Sequence, residues 1–231
     1  MKKYISCIMG LFFVVVVSAQ EIKSNALITD TVSDIDGNVY KTIKIGNKMW
    51  MAENLRTTKY NDGTPIPKVP DNDQWDALQS GAYCECDNNE ANGKIYGYLY
   101  NWFAVKDGKI CPNGWHVPSD VEISSFVAVL DKANKGQDFV FDLMEIGTEH
   151  WPKGMRSKLR TDKFGFTALP NGRRVGNGKF KEFGISASWW TKTEHGVMGP
   201  YFFGLANIVN GFTAGINLPK SNGLGIRCLK K

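Results

Sequence analysis

With 231 residues, 42% of them hydrophobic and 22% charged, the chain has ordinary globular composition and enough apolar material for one core. The formal charge is +5, and removal of Lys2 and Lys3 with a leader segment lowers the basic count from 28 to 26 against 23 acidic residues. No dense Lys/Arg block occurs, which argues against a nucleic-acid partner.

Residues 1–20 read as a secretory signal. Lys2 and Lys3 form the charged start, Ile8 to Val17 the apolar run, and Ser18-Ala19-Gln20 the small residues of a cleavage site. The run is too short to span a bilayer comfortably, and no second candidate follows it. Cys7 stands too early to be lipidated at the cleavage point. The mature protein is therefore expected to be exported, without a transmembrane segment, to the medium, the periplasm or the cell surface.

Export decides how the cysteines are read. Cys84, Cys86, Cys111 and Cys228 are an even number in an oxidising compartment, and their pairing is open among three connectivities. Joining Cys111 to Cys228 would close most of the domain into one loop, worth about 4–5 kcal/mol on the chain-entropy model, less native strain. Cys84 and Cys86 would then form a strained ring across one residue or stay reduced. A lone Cys-x-Cys lacks the second ligand pair of a structural zinc site.

Residues 21–33 are polar and unpatterned and read as a linker, so the domain is taken as residues 34–231. Asp36-Gly37 and Gly46-Asn47 mark turns, and the mostly alternating pattern between them predicts strands. Met49-Trp50-Met51-Ala52 continues as a buried strand. Residues 57–81 are loop-rich, with Trp75 and Leu78 at helical spacing in a segment of one or two turns. Residues 82–86 read as a short strand. Residues 87–93 are a polar loop full of oxygen ligands, but no register gives the calcium-loop order, so a solvated turn is expected. Residues 96–105 are the most aromatic run; exposed, they would form a stacking platform for sugars. The large area that aromatic rings bury favours a core role.

Ser119 is an N-cap with Glu122 three positions later, the pattern of a capping box. Pro118 closes the preceding extended segment, and Asp120 places a negative charge at the positive end of the helix dipole. The helix is predicted over residues 120–133, with Ile123, Phe126, Val127 and Leu130 on one stripe and Asn134-Lys135-Gly136 as its stop. A weaker helical pattern covers residues 139–146. Beyond residue 160 the chain is glycine-rich and strand-like, with hairpin turns at Gly176-Asn177-Gly178 and Asn210-Gly211 and a last strand at residues 225–230. Strands, then helices, then strands describe one α+β domain with antiparallel sheets.

A set of motifs resembles a known family. They are Asp36-Gly37-Asn38-x-Tyr40, Ile45-Gly46-x3-Trp50-Met51-x-Glu53-Asn54-Leu55, and Tyr96-Gly97-Tyr98-Leu99-Tyr100-Asn101-Trp102-x-Ala104-Val105. Cys111-Pro112-x-Gly114-Trp115-His116-Val117-Pro118-Ser119-Asp120, Trp189-Trp190-Thr191-x-Thr193 and Arg227-Cys228 complete the set. Together they resemble the Fibrobacter succinogenes major paralogous domain over nearly all of residues 34–231. The resemblance implies an exported bacterial protein from a large paralogous set, and no catalytic residue is carried over from it. More distantly, residues 115–122 and 225–228 are similar to paired signatures of the sulfatase-modifying, formylglycine-generating enzymes. That likeness implies a C-type-lectin-like architecture and the Cys111–Cys228 pair. It does not bring their chemistry. The two copper-holding cysteines of those enzymes have no counterpart between Gly172 and Gly225, and the lectin calcium motifs are missing from that region too.

His116, His150 and His195 are scattered without metal spacing, and His116 reads as a structural hydrogen-bonding group. No serine or cysteine nucleophile is tied to any of them. Arg173, Arg174, Lys179 and Lys181 read as a mildly basic, solvated hairpin. Three functions follow. The leading one is a non-catalytic binding or surface-interaction module that turns Trp189, Trp190, Tyr201 and His195 toward a glycan or a cell-surface protein. The others are an enzyme with an unrecognised site near Asp87 and Glu90 on a sulfatase-modifying-factor-like fold, and a structural or adhesive envelope protein. No cofactor, metal or catalytic residue is expected.

Overall fold

The computed structural model describes residues 28–208, 210–216 and 218–231; the expected signal segment lies outside them. The described residues open with three antiparallel strands, β1 (Ile28–Ser33), β2 (Val39–Ile45) and β3 (Lys48–Met51). The Asp34 carboxylate ties the first turn by accepting from the Asp36 and Asn38 amides and, at 2.5 Å, from the Tyr40 hydroxyl. Residues 28–33, expected to be linker, are β1. Its described side chains are largely exposed on a sheet edge, so apolar alternation is faint there.

A short helix, α1 (Asn72–Asp76), is capped by Asp71 and buries Trp75. Strand β4 (Tyr83–Glu85) leads to α2 (Glu90–Tyr96) and β5 (Tyr98–Asn101). The solvated turn expected over residues 87–93 is thus corrected to a helix start. Asn89 supplies the cap by accepting from the Ala91 amide. Gly93 weakens the helical pattern but is required, since a Cβ there would lie 2.6 Å from Glu85 Cγ. The aromatic run that follows is largely buried, as expected.

Strand β6 (Trp115–His116) precedes the main helix, α3 (Asp120–Ala133), whose capping box joins Ser119 and Glu122 in both directions. Ile123, Phe126 and Leu130 are buried, and the Phe126 ring lies 4.8 Å from that of Trp50. The second helical pattern yields only a 3-10 turn at Val140–Asp142. Phe139, Val140, Phe141, Leu143 and Met144 are all buried, so the segment is apolar on every side and its periodicity carries no signal.

The remaining strands are β7 (Arg173–Arg174), β8 (Phe180–Lys181), β9 (Ser186–Glu194), β10 (Pro200–Ala206), β11 (Phe212–Gly215), β12 (Gly223–Leu224) and β13 (Leu229–Lys230). Both predicted hairpin turns connect paired strands, β7 to β8 and β10 to β11. Arg174, expected on a solvated face, is instead fully buried between Trp75 and Phe180. It donates to the carbonyls of Val69, Pro70 and Gly178.

Three antiparallel sheets result among the described residues, in the orders β1-β2-β3-β13-β6, β4-β5-β12-β7-β8 and β11-β10-β9. With α1, α2 and α3 as the α-helices among the described residues, the fold is mostly β and of the α+β kind. The segment from Gly223 to Lys230 bonds to all three sheets. β12 pairs with β5 and β7, the Gly225 carbonyl accepts from Trp190 of β9, and β13 lies between β3 and β6. A disulfide fastens this segment through Cys111 and Cys228, 117 residues apart, while Cys84 and Cys86 are free and buried. No helix among the described residues is long and apolar enough to cross a bilayer.

Replacing both Cys111 and Cys228 with serine is expected to lower unfolding free energy by about 2–5 kcal/mol, because the bridge closes a long loop. Urea titration of the oxidised and variant proteins measures this. Equal midpoints would show that the bridge adds nothing to stability.

Candidate functional site

The aromatic pair singled out in the sequence does not face a ligand. Trp189 and Trp190 point to opposite sides of β9, yet both are 0% exposed, because β9 is covered on both faces. Trp189 stacks on Phe203 and donates from Nε1 to Asn54 Oδ1 at 2.8 Å; Trp190 donates to the Tyr100 carbonyl. Alternation along a strand predicts one exposed ring of the two, and the double covering removes it. The surface role expected of these two residues is therefore corrected to a core role.

Tyr201 and His195 stay partly exposed, with ring centroids 5.9 Å apart. They belong to a latch at the start of α3. His195 Nε2 lies 3.0 Å from Asp120 Oδ2, and the Thr193 hydroxyl donates to Oδ1 of the same carboxylate. His116 Nε2 lies 2.9 Å from Glu122 Oε1, while the Ser119 amide and hydroxyl both donate to Glu122 Oε2. The Ser119 hydroxyl meets the carboxylate rather than the imidazole, so His116 is not placed to take its proton. Both carboxylates are already engaged, Glu122 in the capping box and Asp120 by the Val121 amide, Thr193 and His195. The alternative site fares no better: Asp87 and Glu90 are exposed, and Glu90 pairs with Lys94 at 2.9 Å. The Cys84 thiol is pushed up to about 12 by burial, against the opposing charge of Arg174, and Cys86 is raised mainly by burial as well. These are inert core thiols.

A cleft of about 200 Å³ opens elsewhere, over the terminal segment. Its floor is Arg227, 1% exposed. The guanidinium donates from Nε to Asn54 Oδ1 at 2.8 Å, from Nη2 to the Thr167 carbonyl at 3.1 Å, and from Nη1 to the Phe166 carbonyl. Its centre lies 4.2 Å from the Phe166 ring and 5.5 Å from Trp189. Burial pulls its pKa down to about 9, against the charges of Asp162 and Glu53, so it remains a cation at neutral pH. Asn54 is the joint of this floor. Its Oδ1 accepts from both Trp189 and Arg227, and its Nδ2 donates to the Tyr96 carbonyl at 2.8 Å.

The walls are of mixed character. Lys41 from β2 and the Glu53 and Arg56 side chains after β3 carry charges of both signs, and Ile95 and Leu169 add apolar surface. Thr167 stands at φ 48°, a left-handed conformation that is an outlier for a β-branched residue. Asp162 holds it there, accepting from the Thr167 amide at 2.7 Å and from its hydroxyl at 2.6 Å. Burial pushes the Asp162 carboxyl up to about 6, even though the Thr167 bonds and Arg227 act in the opposite direction.

Glu145 lines the same cleft, and with Glu149 and His150 it forms a group whose ligand atoms all lie within 4.8 Å of one another. Sequence reasoning took the histidines as scattered and overlooked the two carboxylates within five residues of His150. Asn54 and Arg227 were visible only as members of recurring motifs, since nothing local shows that residues so far apart share a hydrogen bond.

The family model described as the Fibrobacter succinogenes major domain matches residues 43–230. No curated protein and no solved structure matches the chain.

The α3 latch has a pH consequence. Burial tends to raise the Glu122 carboxyl, but bonds from the Ser119 amide, His116 and the Ser119 hydroxyl outweigh it and hold the pKa below the ordinary 4.5. A carboxylate lowered on folding contributes stability above the unfolded value and loses it as pH falls through the folded one. Urea midpoints at pH 6 and pH 3.5 are expected to differ less in Glu122→Gln than in the wild type, because glutamine keeps the capping box but does not titrate. Equal differences would place the acid sensitivity elsewhere.

Proposed function

The chain belongs to the Fibrobacter succinogenes major domain family, and from that premise we propose that it is an exported, non-catalytic binding module that takes a glycan in the Arg227 cleft. The observation that carries this reading is the mixed lining over a rigid floor. Lys41 and Arg56 donate, while Glu53 and the Thr167 hydroxyl, whose proton goes to Asp162, accept, which suits sugar hydroxyls that both give and receive hydrogen bonds. Ile95 and Leu169 offer apolar surface to the C–H face of a ring. The volume of about 200 Å³ falls below the roughly 300–1,000 Å³ of pockets for drug-sized ligands, so a terminal sugar fits better than an internal stretch of chain.

Export is supported by the leader-like residues 1–20 and by the Cys111–Cys228 bridge, which suits an oxidising compartment. A C-type-lectin-like architecture is supported by the capped helix behind Pro118-Ser119 and by the closing strand that follows a disulfide cysteine. Fold analogy contributes the architecture alone, and the ligand class is argued from the cleft.

A glycan array probed with the mature domain is expected to return a defined set of terminal sugars. The double variant Lys41→Ala/Glu53→Gln should weaken that binding about tenfold or more, each lost polar contact contributing on the order of 1 kcal/mol, with little change in melting temperature. An array without binders contradicts the glycan reading, and binding that survives the double variant contradicts the cleft.

A further inference from the structure

Beside the cleft, the loop after the Val140–Asp142 turn gathers Glu145, Glu149 and His150, each offering one ligand atom within 4.8 Å of the others. His150 Nδ1 lies 2.8 Å from Glu145 Oε1. That contact is a hydrogen bond as it stands, and a shift of about 0.5 Å would open it to the roughly 3.3–3.6 Å between neighbouring ligands of a tetrahedral cation with bonds of roughly 2.0–2.2 Å. The His150 ring is fixed by an edge-on contact with Tyr96, centroids 5.3 Å apart.

A second observation points the same way. Glu145 Oε2 is buried and has no hydrogen-bond partner among the described residues. A buried carboxylate oxygen without a donor is costly, and what it lacks is a proton donor or a cation. Arg160 is the cation whose charge reaches Glu145, and it is buried nearby. Its Nη2 donates to the Pro152 carbonyl, while Nε and Nη1 have no partner, so it leaves Glu145 Oε2 unsatisfied. Two carboxylates and an imidazole thus face one another with one buried carboxylate oxygen unpaired.

We propose that Glu145, Glu149 and His150 bind a divalent transition-metal ion, with Zn²⁺ the best match. Mixed imidazole and carboxylate ligands suit zinc or manganese, whereas calcium prefers an all-oxygen shell. Three protein ligands leave further coordination positions to water. This site goes beyond the glycan reading and does not depend on it. Glu145 lines both the cleft and the metal group, so an ion held there would border the ligand space.

Isothermal titration of the metal-free mature domain with Zn²⁺, with no glycan present, tests the proposal. One ion per chain is expected, with a higher melting temperature when it is bound. Glu149→Gln changes an exposed side chain and should leave the metal-free fold intact, yet weaken uptake about tenfold or more. His150→Ala should do the same, and Glu90→Gln, a carboxylate already paired with Lys94, should change nothing. Uptake that does not saturate, uptake unaltered in Glu149→Gln, or a preference for Ca²⁺ over Zn²⁺ and Mn²⁺ would each overturn the site.

Discussion

Arg227 places a full positive charge in the core with no carboxylate hydrogen-bonded to it among the described residues. Such a charge is tolerated only when every donor finds an acceptor and the surroundings are polarisable. Here the acceptors are Asn54 and the carbonyls of Phe166 and Thr167, and the rings of Phe166 and Trp189 flank the guanidinium. Each acceptor makes its own demand. The Thr167 carbonyl is offered by a residue in a left-handed conformation, which Asp162 stabilises through two hydrogen bonds. Asn54 reaches across to Trp189 of β9 and to the end of α2. Satisfying one buried cation therefore fixes the positions of four segments, and the cleft is the space left above them.

The terminal segment makes this arrangement possible. Gly223 to Lys230 bonds to all three sheets, so Arg227 projects from the one stretch that each of them touches. Glycine at 225 keeps this stretch close to its neighbours, since a Cβ would come within 2.6 Å of Asn171 Nδ2 and 3.1 Å of Trp189 Cδ1. Cys228 fastens the same stretch covalently to the segment ahead of β6, and α3 starts just beyond it, with both carboxylates of its first turn held by histidines. Arg174 repeats the pattern in a second place: a buried guanidinium between two rings, satisfied by carbonyls. Buried arginines bonded to backbone are thus a recurrent means by which this fold orders its irregular loops.

Local features were legible in the sequence wherever one signal dominated. The capping box at Ser119 and Glu122, the glycine turns at residues 176–178 and 210–211, and the burial of the aromatic run all follow from nearest-neighbour chemistry. The helix at Glu90 was hidden by asparagines that read as a loop until one of them is seen to be a cap. Trp189 and Trp190 misled because a strand covered on both faces has no exposed side to which alternation can point. The cleft was the least legible feature. It is assembled from Lys41, Asn54, Thr167 and Arg227, which no periodicity relates, and only the three-dimensional path of the terminal segment brings them together.

The central claim is that Asn54 and Arg227 act as one unit under the cleft. A double-mutant cycle of Asn54→Ala and Arg227→Met, read by urea unfolding, addresses it directly. Coupled buried groups give interaction energies of about 0.5–3 kcal/mol, and the account predicts a value in that range, with the double variant less destabilised than the sum of the singles. Strict additivity would show that the two residues stabilise the fold independently and that the floor of the cleft is not a single structure.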